Sequence, residues 1–408
     1  MKPTGPIPTG YDELNGELSI GGMTASALVD QAGDTPLFVY SAAHLHDRVA
    51  ELRAAMPDRL AIHYAMKGNP FPPLLAHMNA MVDGFDIASG GELELALAAG
   101  VDPVCISFAG PGKRDREIEH AISVGVTLNA ESENEVDRAL IIGAKLGITP
   151  RLAVRVNPSF DLKGSGMKMG GGAKQFGVDA PRVPDLVKRI IAAGAQWRGF
   201  HIYAGSQALK ADFIIDMHMQ TLALVADLTE AIGAPPPRVN LGGGFGIPYF
   251  SGDAPVDVAA VGAALGAAFD ALPACLANTN FCIELGRYLV GEAGVYLTRI
   301  VDRKISHGEI FLITDGGLHH QLAASGNFGT VIRRNYPVAI ATKYGADPQE
   351  VASIVGCLCT PLDKLSDQAH LPRADVGDLV AIFCAGVYGA SASPANFLGH
   401  GPAKEMLV

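Results

Sequence analysis

Several residues of the types that bind and activate small molecules are spread along this sequence. In chain order they are Lys67, Asp86, His201, Tyr203, the glycine-rich segment 242–246, Glu284 and Arg287. An amine can attach a carbonyl compound, a carboxylate can hold a proton, and a guanidinium can bind an anion. Taken one at a time, these residues are also typical of a surface lysine, a core histidine, a tight turn and a surface ion pair. Their chemistry therefore depends on whether the fold brings them together.

The elements that would position these residues follow a regular repeat between residues 60 and 290. Eight short β-rich runs alternate with stretches of helical periodicity. The runs are 61–66, 84–88, 104–108, 126–129, 152–156, 199–203, 238–241 and 281–285. The helical stretches are 72–81, 92–99, 116–124, 133–146, 184–193, 213–232 and 256–276. Such alternation predicts right-handed crossovers and a parallel sheet, and eight units predict a closed (β/α)8 barrel of the TIM type, an α/β fold.

The polar residues fall at the carboxyl ends of the predicted strands, where such barrels carry their chemistry. Lys67 follows the first run, and strand alternation places His201 and Tyr203 on one side of the sixth. After the seventh run, Gly243 and Gly244 lack Cβ atoms, so that backbone N–H groups can crowd a phosphate. The predicted cofactor is pyridoxal 5′-phosphate. It is the ligand that would use all the groups expected at one mouth of the barrel, namely an amine, a phosphate cradle, an arginine, a carboxylate and a flat ring.

Composition and charge exclude several classes of partner. The net charge is −11 and no run of five Lys or Arg residues occurs, so we expect neither nucleic acid nor an anionic membrane as partner. Apolar residues make up 49% and charged residues 18%, which is typical of a globular protein. Residues 1–11 lack the pattern of a secretion signal, and no apolar stretch reaches the roughly 18 residues that span a bilayer.

The cysteines favour a reducing compartment. Six are spread over 408 residues, several within apolar runs, which suits reduced thiols and predicts a cytoplasmic location. Cys357 and Cys359 are too close in sequence for an ordinary zinc pair and no second pair follows, so no metal site is predicted.

With these motifs in this order, the sequence resembles the fold-type III pyridoxal phosphate decarboxylases, the diaminopimelate and ornithine decarboxylase family. Residues 63–69 are similar to the family's lysine motif, and residues 84–92 to the segment whose aspartate and serine neighbour that lysine. Residues 199–207 match G-x-H-x-x-x-G-S-Q, 240–249 match N-L-G-G-G-F-G-I-P-Y, and 284–287 are similar to E-P-G-R. The resemblance covers nearly the whole chain.

The resemblance implies a second, β-rich domain, as in alanine racemase and ornithine decarboxylase. Residues 41–290 would form the cofactor-binding barrel, and residues 1–40 and 291–408 the β-rich domain. Strand-like runs at 295–300, 310–313, 352–355 and 379–383 fit that domain independently. Residues 356–363, similar to G-P-x-C-[ED]-x-x-D, would complete the partner subunit's active site in a head-to-tail homodimer. Residues 386–388 are similar to the family's G-A-Y.

The resemblance also implies roles in the α-decarboxylation of an amino acid. Lys67 would hold the cofactor as a Schiff base and transfer protons. Glu284 would hold the proton on the pyridine nitrogen, and Cys359 would protonate the substrate carbon. The residues expected around the cofactor are Asp86, His201, Tyr203, Ser206, Gly243, Gly244, Gly286, Arg287 and Tyr388. The residues expected around the substrate are Arg287, Thr360, Asp363 and Tyr388.

Departures from the family pattern bear on the substrate. Tyr203 stands where the family has a stacking histidine, so either Tyr203 or His201 is expected to stack on the ring. Thr360 replaces the acidic residue that faces a distal amine, and an unpaired buried ammonium is costly, so a simple diamino acid is less favoured. The segment 315–334 is similar to a subgroup found with carrier-protein pathways and exosortase-linked gene clusters, which implies a carrier-tethered or acidic substrate. Within it, His319 and His320 are expected to face opposite ways, one lining the site and one in solvent.

Three other functions, and the role of one segment, stay open at this point. A racemase on the same fold would share the lysine and phosphate loop, although Glu284 argues against it. A non-catalytic carrier of the cofactor would stop after the barrel, which this chain does not. A metal-dependent barrel hydrolase would need clustered His and Asp at the strand ends, where only His201 qualifies. Residues 164–172 are predicted to be a mobile active-site flap or a connector.

Overall fold

The computed structural model describes residues 1–160, 167–168, 172–328 and 333–408. The chain forms two compact units. The barrel unit comprises Val49–Gly246 and Val256–Gly286, and the β-rich unit comprises Met1–Arg48, Ile247–Pro255 and Arg287–Val408. Residues 247–255 thus belong to the β-rich unit, although they lie inside the range 41–290 expected for the barrel.

Eight parallel strands form the barrel, and all eight predicted runs supply one. The strands are, in chain order, Leu60–Ala65, Gly84–Ile87, Ile106–Phe108, Thr127–Ala130, Arg151–Asn157, Gln196–His201, Arg238–Gly243 and Asn280–Leu285. Their order around the sheet is 5-6-7-8-1-2-3-4, and the fourth strand pairs with the fifth, which closes the barrel. The prediction of a (β/α)8 barrel is therefore confirmed.

Helices connect these strands as the periodicity predicted. They are Ala42–Ala55, which precedes the first strand, and then Pro72–Asn79, Gly90–Ala98, Asp115–Val124, Glu133–Leu146, Val183–Ala192, Ala211–Ile232 and Val258–Asp270. Side chains cap several of their first turns: the Ser89 and Ser132 hydroxyls accept hydrogen bonds from Glu92 N and Glu135 N. Such caps fix where each helix begins and hence where each preceding loop ends.

Most strand limits differ from the predicted runs by one to three residues, and two of the differences have a local explanation or a consequence for the site. The third strand begins at Ile106 rather than at residue 104, because Pro103–Cys105 form a 3-10 turn started by the Asp102 side chain. The sixth strand ends at His201, so Tyr203 lies beyond it and strand alternation does not relate the two rings. The remaining 3-10 turns are Met66–Gly68, Ala180–Arg182, Ala274–Leu276, Ala341–Lys343 and Phe397–Gly399.

The β-rich unit is built on one mixed sheet, which confirms the predicted β-rich domain. Neighbouring strands along it are Val338–Ile340, Leu379–Ile382, Gly294–Ser306, Glu309–Thr314, Glu350–Val355 and Lys364–Leu371. Leu37–Tyr40 pairs with Gly294–Ser306 on one side and with Lys404–Leu407 on the other. A small antiparallel sheet of Glu13–Leu14, Glu17–Ile20 and Met23–Thr24 precedes the helix Ala25–Ala32, and a short helix spans Arg287–Val290. Leu28, Leu37, Val295, Leu379 and Phe383 form part of the core of this unit.

Three further short strands lie beside the barrel. Val178–Asp179 pairs with the end of the fifth barrel strand, and Met167–Lys168 pairs with Gly205–Ser206. Most of the segment 164–172, predicted to be a flap or connector, lies outside the described residues. No helix in the described part of the chain is long and apolar enough to cross a membrane.

Candidate active site

Lys67 occupies a tight turn immediately after the first barrel strand. The turn Met66–Gly68 follows Leu60–Ala65, and the Tyr64 hydroxyl donates to the carbonyl oxygen of Asn69 over 2.8 Å, which fixes the turn. The Lys67 side chain is exposed, and its Nζ lies 5.5 Å from the centroid of the Tyr203 ring. The amine is thus held at the carboxyl end of the barrel beside an aromatic ring.

Lys67 lines a cavity of about 270 Å³ within the barrel unit. The other lining residues include four predicted from the sequence, namely Asp86, His201, Tyr203 and Glu284. Together with Lys67, these residues come from four different strands or the loops after them and are spread from residue 67 to residue 284. The structure therefore brings an amine, two carboxylates and two flat rings to one cavity.

Glu284 is buried at the end of the eighth strand and has two hydrogen-bond partners from neighbouring strands. His201 Nε2 lies 2.9 Å from Oε2 of Glu284, and Asn240 Nδ2 donates to the same oxygen over 3.0 Å. Since a carboxylate only accepts, the His201 Nε2 carries the proton in this hydrogen bond. Burial alone would raise the pKa of Glu284, but the adjacent His201 outweighs it and holds that pKa well below its usual range. Glu284 is therefore a carboxylate at neutral pH.

Asp86 shares the same hydrogen-bonded network. His63 Nδ1 lies 3.1 Å from Oδ2 of Asp86, and Asn240 Nδ2 is within 3.4 Å of Oδ1. One amide group of Asn240 thus contacts both carboxylates of the cavity. This arrangement holds Asp86 and Glu284 in fixed positions before any ligand binds.

The glycine-rich segment follows a break in strand pairing. Register between the seventh and eighth strands shifts between Asn240 and Gly243. A Cβ on Gly243 would overlap the carbonyl oxygen of Glu284, and one on Gly244, whose φ is +88°, would overlap the carbonyl oxygen of Gly205. Glycine is therefore required for close backbone approach here.

The same segment lies against the loop that carries Ser206. The Ala208 N–H donates to the Gly244 carbonyl over 2.9 Å, and the Gly246 N–H donates to the Ala208 carbonyl over 2.8 Å. The structure thus brings Ser206 and Gly244 together, as expected for a phosphate cradle. Neither Ser206 nor Gly244 lines the 270 Å³ cavity. Gly286 lies close to the Ala65 carbonyl oxygen, at the end of the first strand.

Arg287 is the first residue of the β-rich unit after the eighth strand and is surrounded by phenols. Its Nη1 donates to the Tyr249 hydroxyl over 2.7 Å, and its guanidinium carbon lies 5.0 Å from the centroid of the Tyr388 ring. Burial raises the pKa of Tyr249 to about 12, so its phenol stays protonated. The Arg287 Nε is buried and has no hydrogen-bond partner among the described residues. Arg287 and Tyr388 are thus together, with one N–H left to bind an anion.

The segment 356–363, here called the cysteine loop, is organised by Asp363. Its Oδ1 accepts from Leu318 N over 2.7 Å and its Oδ2 from Leu358 N over 2.9 Å. Cys359 is exposed, and the Thr360 hydroxyl accepts from Leu362 N over 3.3 Å. Asp363 was predicted to contact substrate, but both of its oxygens are already bound by backbone N–H groups that join two loops.

The structure overturns the expected orientation of the adjacent histidines. His319 and His320 lie in a turn rather than a strand, so alternation does not apply, and both are buried with ring centroids 3.9 Å apart. The prediction that one of them faces solvent is wrong. His319 Nδ1 and Nε2 both lack hydrogen-bond partners among the described residues, and burial, reinforced by His320, lowers the pKa of His319 to about 4.

Two groups of residues were not predicted from the sequence. Arg155 and Phe176 line the cavity, with Arg155 Nη1 donating to Glu131 Oε1 over 2.8 Å. The available signal was an arginine inside the apolar fifth strand. A second group in the β-rich unit is the cluster of His319, Cys357 and His400, which no local sequence motif predicts.

The side chains that line the cavity of the barrel unit fit pyridoxal 5′-phosphate. The cavity offers the Lys67 amine, the Tyr203 ring and an ionised Glu284. His201 Nδ1 is buried without a partner among the described residues, as expected where a polar ligand binds. A carboxylate kept ionised at a ring nitrogen is the group that this cofactor's chemistry requires. Fold and site together define a cofactor-dependent enzyme of the lysine-anchored barrel class.

Comparison with known proteins identifies the family. Residues 42–291 match the family model described as pyridoxal-dependent decarboxylase, pyridoxal binding domain. The chain belongs to the pyridoxal-dependent decarboxylase family, and it is a carboxy-lyase that uses pyridoxal 5′-phosphate.

Relatives over almost the full length agree with this assignment. The chain is 35% identical to the L-glutamyl-[BtrI acyl-carrier protein] decarboxylase of Niallia circulans, over 92% of this chain and 89% of that protein. It is 32% identical to the diaminopimelate decarboxylase of Aquifex aeolicus, over 97% of this chain and 91% of that protein. Among solved structures, the diaminopimelate decarboxylase of M. jannaschii in complex with L-lysine is similar, with a TM-score of 0.89, 25% identity, and coverage of 98% and 93%.

Proposed function

We propose that this protein removes the α-carboxylate of an amino acid whose distal end is acidic or is tethered to a carrier protein. The observation that carries the proposal lies in the cysteine loop. Thr360 offers only a neutral hydroxyl where the family pattern has an acid, and both Asp363 oxygens accept backbone N–H groups. Within residues 356–363, which are all described, Asp363 is the one carboxylate, and it is buried with a backbone N–H on each oxygen, which makes it a poor partner for a distal ammonium.

Two relatives point to the same class of substrate. The Niallia circulans protein acts on a glutamyl group carried by an acyl-carrier protein. A Staphylococcus aureus relative, 28% identical over 89% of this chain, is a 2-[(L-alanin-3-ylcarbamoyl)methyl]-2-hydroxybutanedioate decarboxylase, whose substrate bears distal carboxylates. Neither name describes a free diamino acid. An acidic or tethered distal end is thus compatible with close relatives of this fold.

Each site residue is given one physical task in this proposal. When bound, pyridoxal phosphate supplies the electron-withdrawing ring that accepts the electron pair left by departing CO₂. Lys67 would hold the cofactor through Nζ and move protons at that atom, and Glu284 would hold the proton on the ring nitrogen. Tyr203, whose ring centroid lies 5.5 Å from Lys67 Nζ, would cover one face of the cofactor.

Two groups of residues are assigned to the anions of the cofactor and the substrate. Within the barrel unit, Gly243, Gly244 and Ser206 bind the phosphate through the glycine-rich segment and its neighbouring loop. Within the β-rich unit, Arg287 offers its Nε, which has no hydrogen-bond partner among the described residues, to an anion. Tyr388, beside Arg287, is available to either anion. Cys359 Sγ delivers the proton that replaces the carboxylate at the α-carbon.

We further infer a head-to-tail homodimer in which the cysteine loop of each chain serves the partner's barrel. Exposure of Cys359, combined with its assigned role as an acid, supports this arrangement, because a thiol on the surface of one chain can reach the cavity of a neighbouring chain. The six unpaired cysteines remain compatible with the predicted cytoplasmic location. Localisation of a tagged chain by cell fractionation tests that last point.

The decisive assay measures CO₂ release from matched substrates. We expect an L-glutamyl group held as a thioester through its side-chain (γ) carbonyl, on a carrier protein or on pantetheine, to exceed free meso-diaminopimelate in kcat/KM by at least about 100-fold, since an unpaired buried ammonium costs a few kcal/mol. Free glutamate, lysine and ornithine complete the series. Comparable turnover of diaminopimelate contradicts the substrate class, and loss of optical activity without CO₂ release contradicts decarboxylation.

Matched variants separate the substrate from the cofactor. Thr360→Glu should raise turnover of diaminopimelate and lower that of the glutamyl thioester, whereas Thr360→Val should not gain the diamino acid. Lys67→Ala should abolish turnover of every substrate and the fixation of cofactor by borohydride, read by intact mass. Lys188→Ala, on the exposed face of the helix Val183–Ala192, is the control.

Subunit exchange tests the dimer. Lys67→Ala and Cys359→Ala each remove one half of the proposed composite site. If subunits exchange at random, half of the dimers are mixed and each has one intact site, so the mixture should recover about a quarter of the wild-type activity. No recovery, with dimers confirmed by light scattering, would place both residues in the same chain's site.

A further inference from the structure

Three potential metal ligands from distant parts of the sequence converge in the β-rich unit. One ligand atom from each of His319, Cys357 and His400 lies within 4.8 Å of the other two. The closest measured edge, from Cys357 Sγ to His400 Nε2, is 3.7 Å. In a tetrahedral zinc site the ligand atoms are about 3.3–3.6 Å apart, given the usual Zn–N and Zn–S bond lengths. The cluster is thus close to the dimensions of a metal site.

A second observation points independently to a ligand. The His319 side chain is 0% exposed, and neither Nδ1 nor Nε2 has a hydrogen-bond partner among the described residues. Buried polar atoms are rarely left in this state, and a bound ion is one of the explanations for such an exception. The ring of His319 packs 4.7 Å from the ring of His400, so the unpartnered histidine borders the cluster.

The surrounding hydrogen bonds hold the ligand segments in place. His320 Nδ1 lies 3.1 Å from the Tyr296 hydroxyl and its Nε2 2.9 Å from the carbonyl oxygen of Gly401. His320 therefore fixes both the turn that carries His319 and the segment that carries His400. Hydrogen bonds that hold ligand-bearing segments in this way are typical of metal centres. The Cys357 thiol donates to the Asp315 carbonyl over 3.4 Å, and this hydrogen bond is given up when the thiolate binds an ion.

We propose that His319, Cys357 and His400 bind one zinc ion through two imidazoles and one thiolate, with a fourth position open. This ligand set is characteristic of borderline and soft transition metals and excludes Mg²⁺ or Ca²⁺, which prefer oxygen. On binding, the Cys357 proton leaves to solvent and the thiolate forms the Zn–S bond, with no change in oxidation state. His400 is exposed, so rotation of its side chain closes the remaining distance.

The ion would join the cysteine loop to two other segments of the β-rich unit. Cys357 precedes Cys359 by two residues, so the metal anchors the loop that carries the proposed proton donor. Cys357 also stands where the family pattern G-P-x-C has proline, which makes this thiol a departure of the present chain. The proposal does not depend on which substrate the enzyme uses.

The test measures metal binding by the cofactor-loaded enzyme after removal of any histidine tag. Protein dialysed against a chelator and then desalted is titrated with Zn²⁺ against a chromophoric chelator, and bound metal is counted by mass spectrometry. We expect one zinc per chain with a dissociation constant below about 1 μM. Titration with Co²⁺ should give the visible d–d bands of tetrahedral cobalt, and zinc should raise the melting temperature.

Matched variants test whether these three side chains bind the zinc. Cys357→Ser should weaken zinc binding by at least about 100-fold. Cys359→Ser, the neighbouring thiol, and His370→Gln, an exposed histidine, should leave it unchanged. If Cys357→Ser fails to fold, His400→Gln provides the same test at an exposed side chain. Less than about a tenth of an equivalent of zinc per wild-type chain, or equal affinity in Cys357→Ser, would overturn the proposal and leave a stack of neutral histidines beside a free thiol.

Discussion

His201 donates from Nε2 to Oε2 of Glu284 over 2.9 Å, and both side chains are buried in the barrel unit. The pairing joins the sixth strand to the eighth across the seventh, whose Asn240 contacts the same carboxylate oxygen. Because His201 holds the pKa of Glu284 well below its usual range, the carboxylate is charged before the cofactor arrives. A site of this kind is preorganised, and its consequences can be measured.

Glu284→Gln should lower kcat by about 100–1,000-fold while cofactor stays bound, because an amide cannot hold the ring proton with the same charge. The measurements are kcat and the absorbance of the bound cofactor. Glu94→Gln, an exposed helical position, is the control and should change neither. If Glu284→Gln lost cofactor but retained the rate per bound cofactor, the residue would serve binding alone.

Gly243→Ala should destabilise the protein by about 3 kcal/mol, because the added methyl group overlaps the carbonyl oxygen of Glu284 and forces two strands apart. Urea unfolding gives the free energy, and affinity for cofactor should fall with it. Gly112→Ala is the matched control, since its Cβ would meet nothing within 4 Å. Equal stability of the two variants would show that the strand ends relax freely.

Asp363→Asn should lower stability by about 1–3 kcal/mol, because Leu318 N and Leu358 N both donate to the carboxylate and an amide accepts through only one oxygen. Comparison of KM with the urea midpoint separates a structural role from substrate contact. Asp347→Asn, at an exposed position outside the helices and strands, should be neutral. A raised KM with unchanged stability would instead support the sequence-based assignment of Asp363 to the substrate.

Asp367 should make stability depend on pH in the acid range. Burial would raise its pKa, but hydrogen bonds from Lys2 and Lys364 outweigh it and lower that pKa to about 2. The folded pKa is below the unpaired value of 3.8, so the stabilisation is complete above pH 3.8 and is lost as the pH falls towards 2. Solvent screens such a pair, so the loss is about 1 kcal/mol.

Urea unfolding of wild type and Asp367→Asn across this range tests the assignment. The difference between them should be constant above about pH 5 and shrink on acidification. Asp30→Asn, at an exposed helical position, is the control. A difference that grows in acid would reverse the sign and contradict the ion pairs.

The barrel was predictable because each strand carries its own local signal. The first strand was expected at 61–66 and lies at Leu60–Ala65, and the helix Glu133–Leu146 has the expected limits. Lys67 and Glu284 were predictable as site residues because parallel strands bring their carboxyl ends to one mouth. Periodicity and strand order thus predict that these two residues lie at the same end of the barrel, although they are far apart in the sequence.

Other features depend on tertiary contacts that leave no local pattern. The carboxylate of Asp363 binds backbone N–H groups, and every residue type has such groups, so its structural role has no sequence signature. His319, Cys357 and His400 lie 38 and 43 positions apart and meet only through turns between strands. The orientation of His319 and His320 was mispredicted because a turn was taken for a strand.

The strand Leu37–Tyr40 has a consequence for synthesis of the chain. All four residues are buried, yet their pairing partners, Gly294–Ser306 and Lys404–Leu407, leave the ribosome more than 250 and 360 residues later. Until then this apolar strand has both edges unpaired, which is a typical aggregation hazard. The barrel can be completed by the time residue 286 has emerged, whereas the β-rich unit waits for the last strand. Expression of the chain should therefore depend on chaperones that cover residues 37–40 during translation.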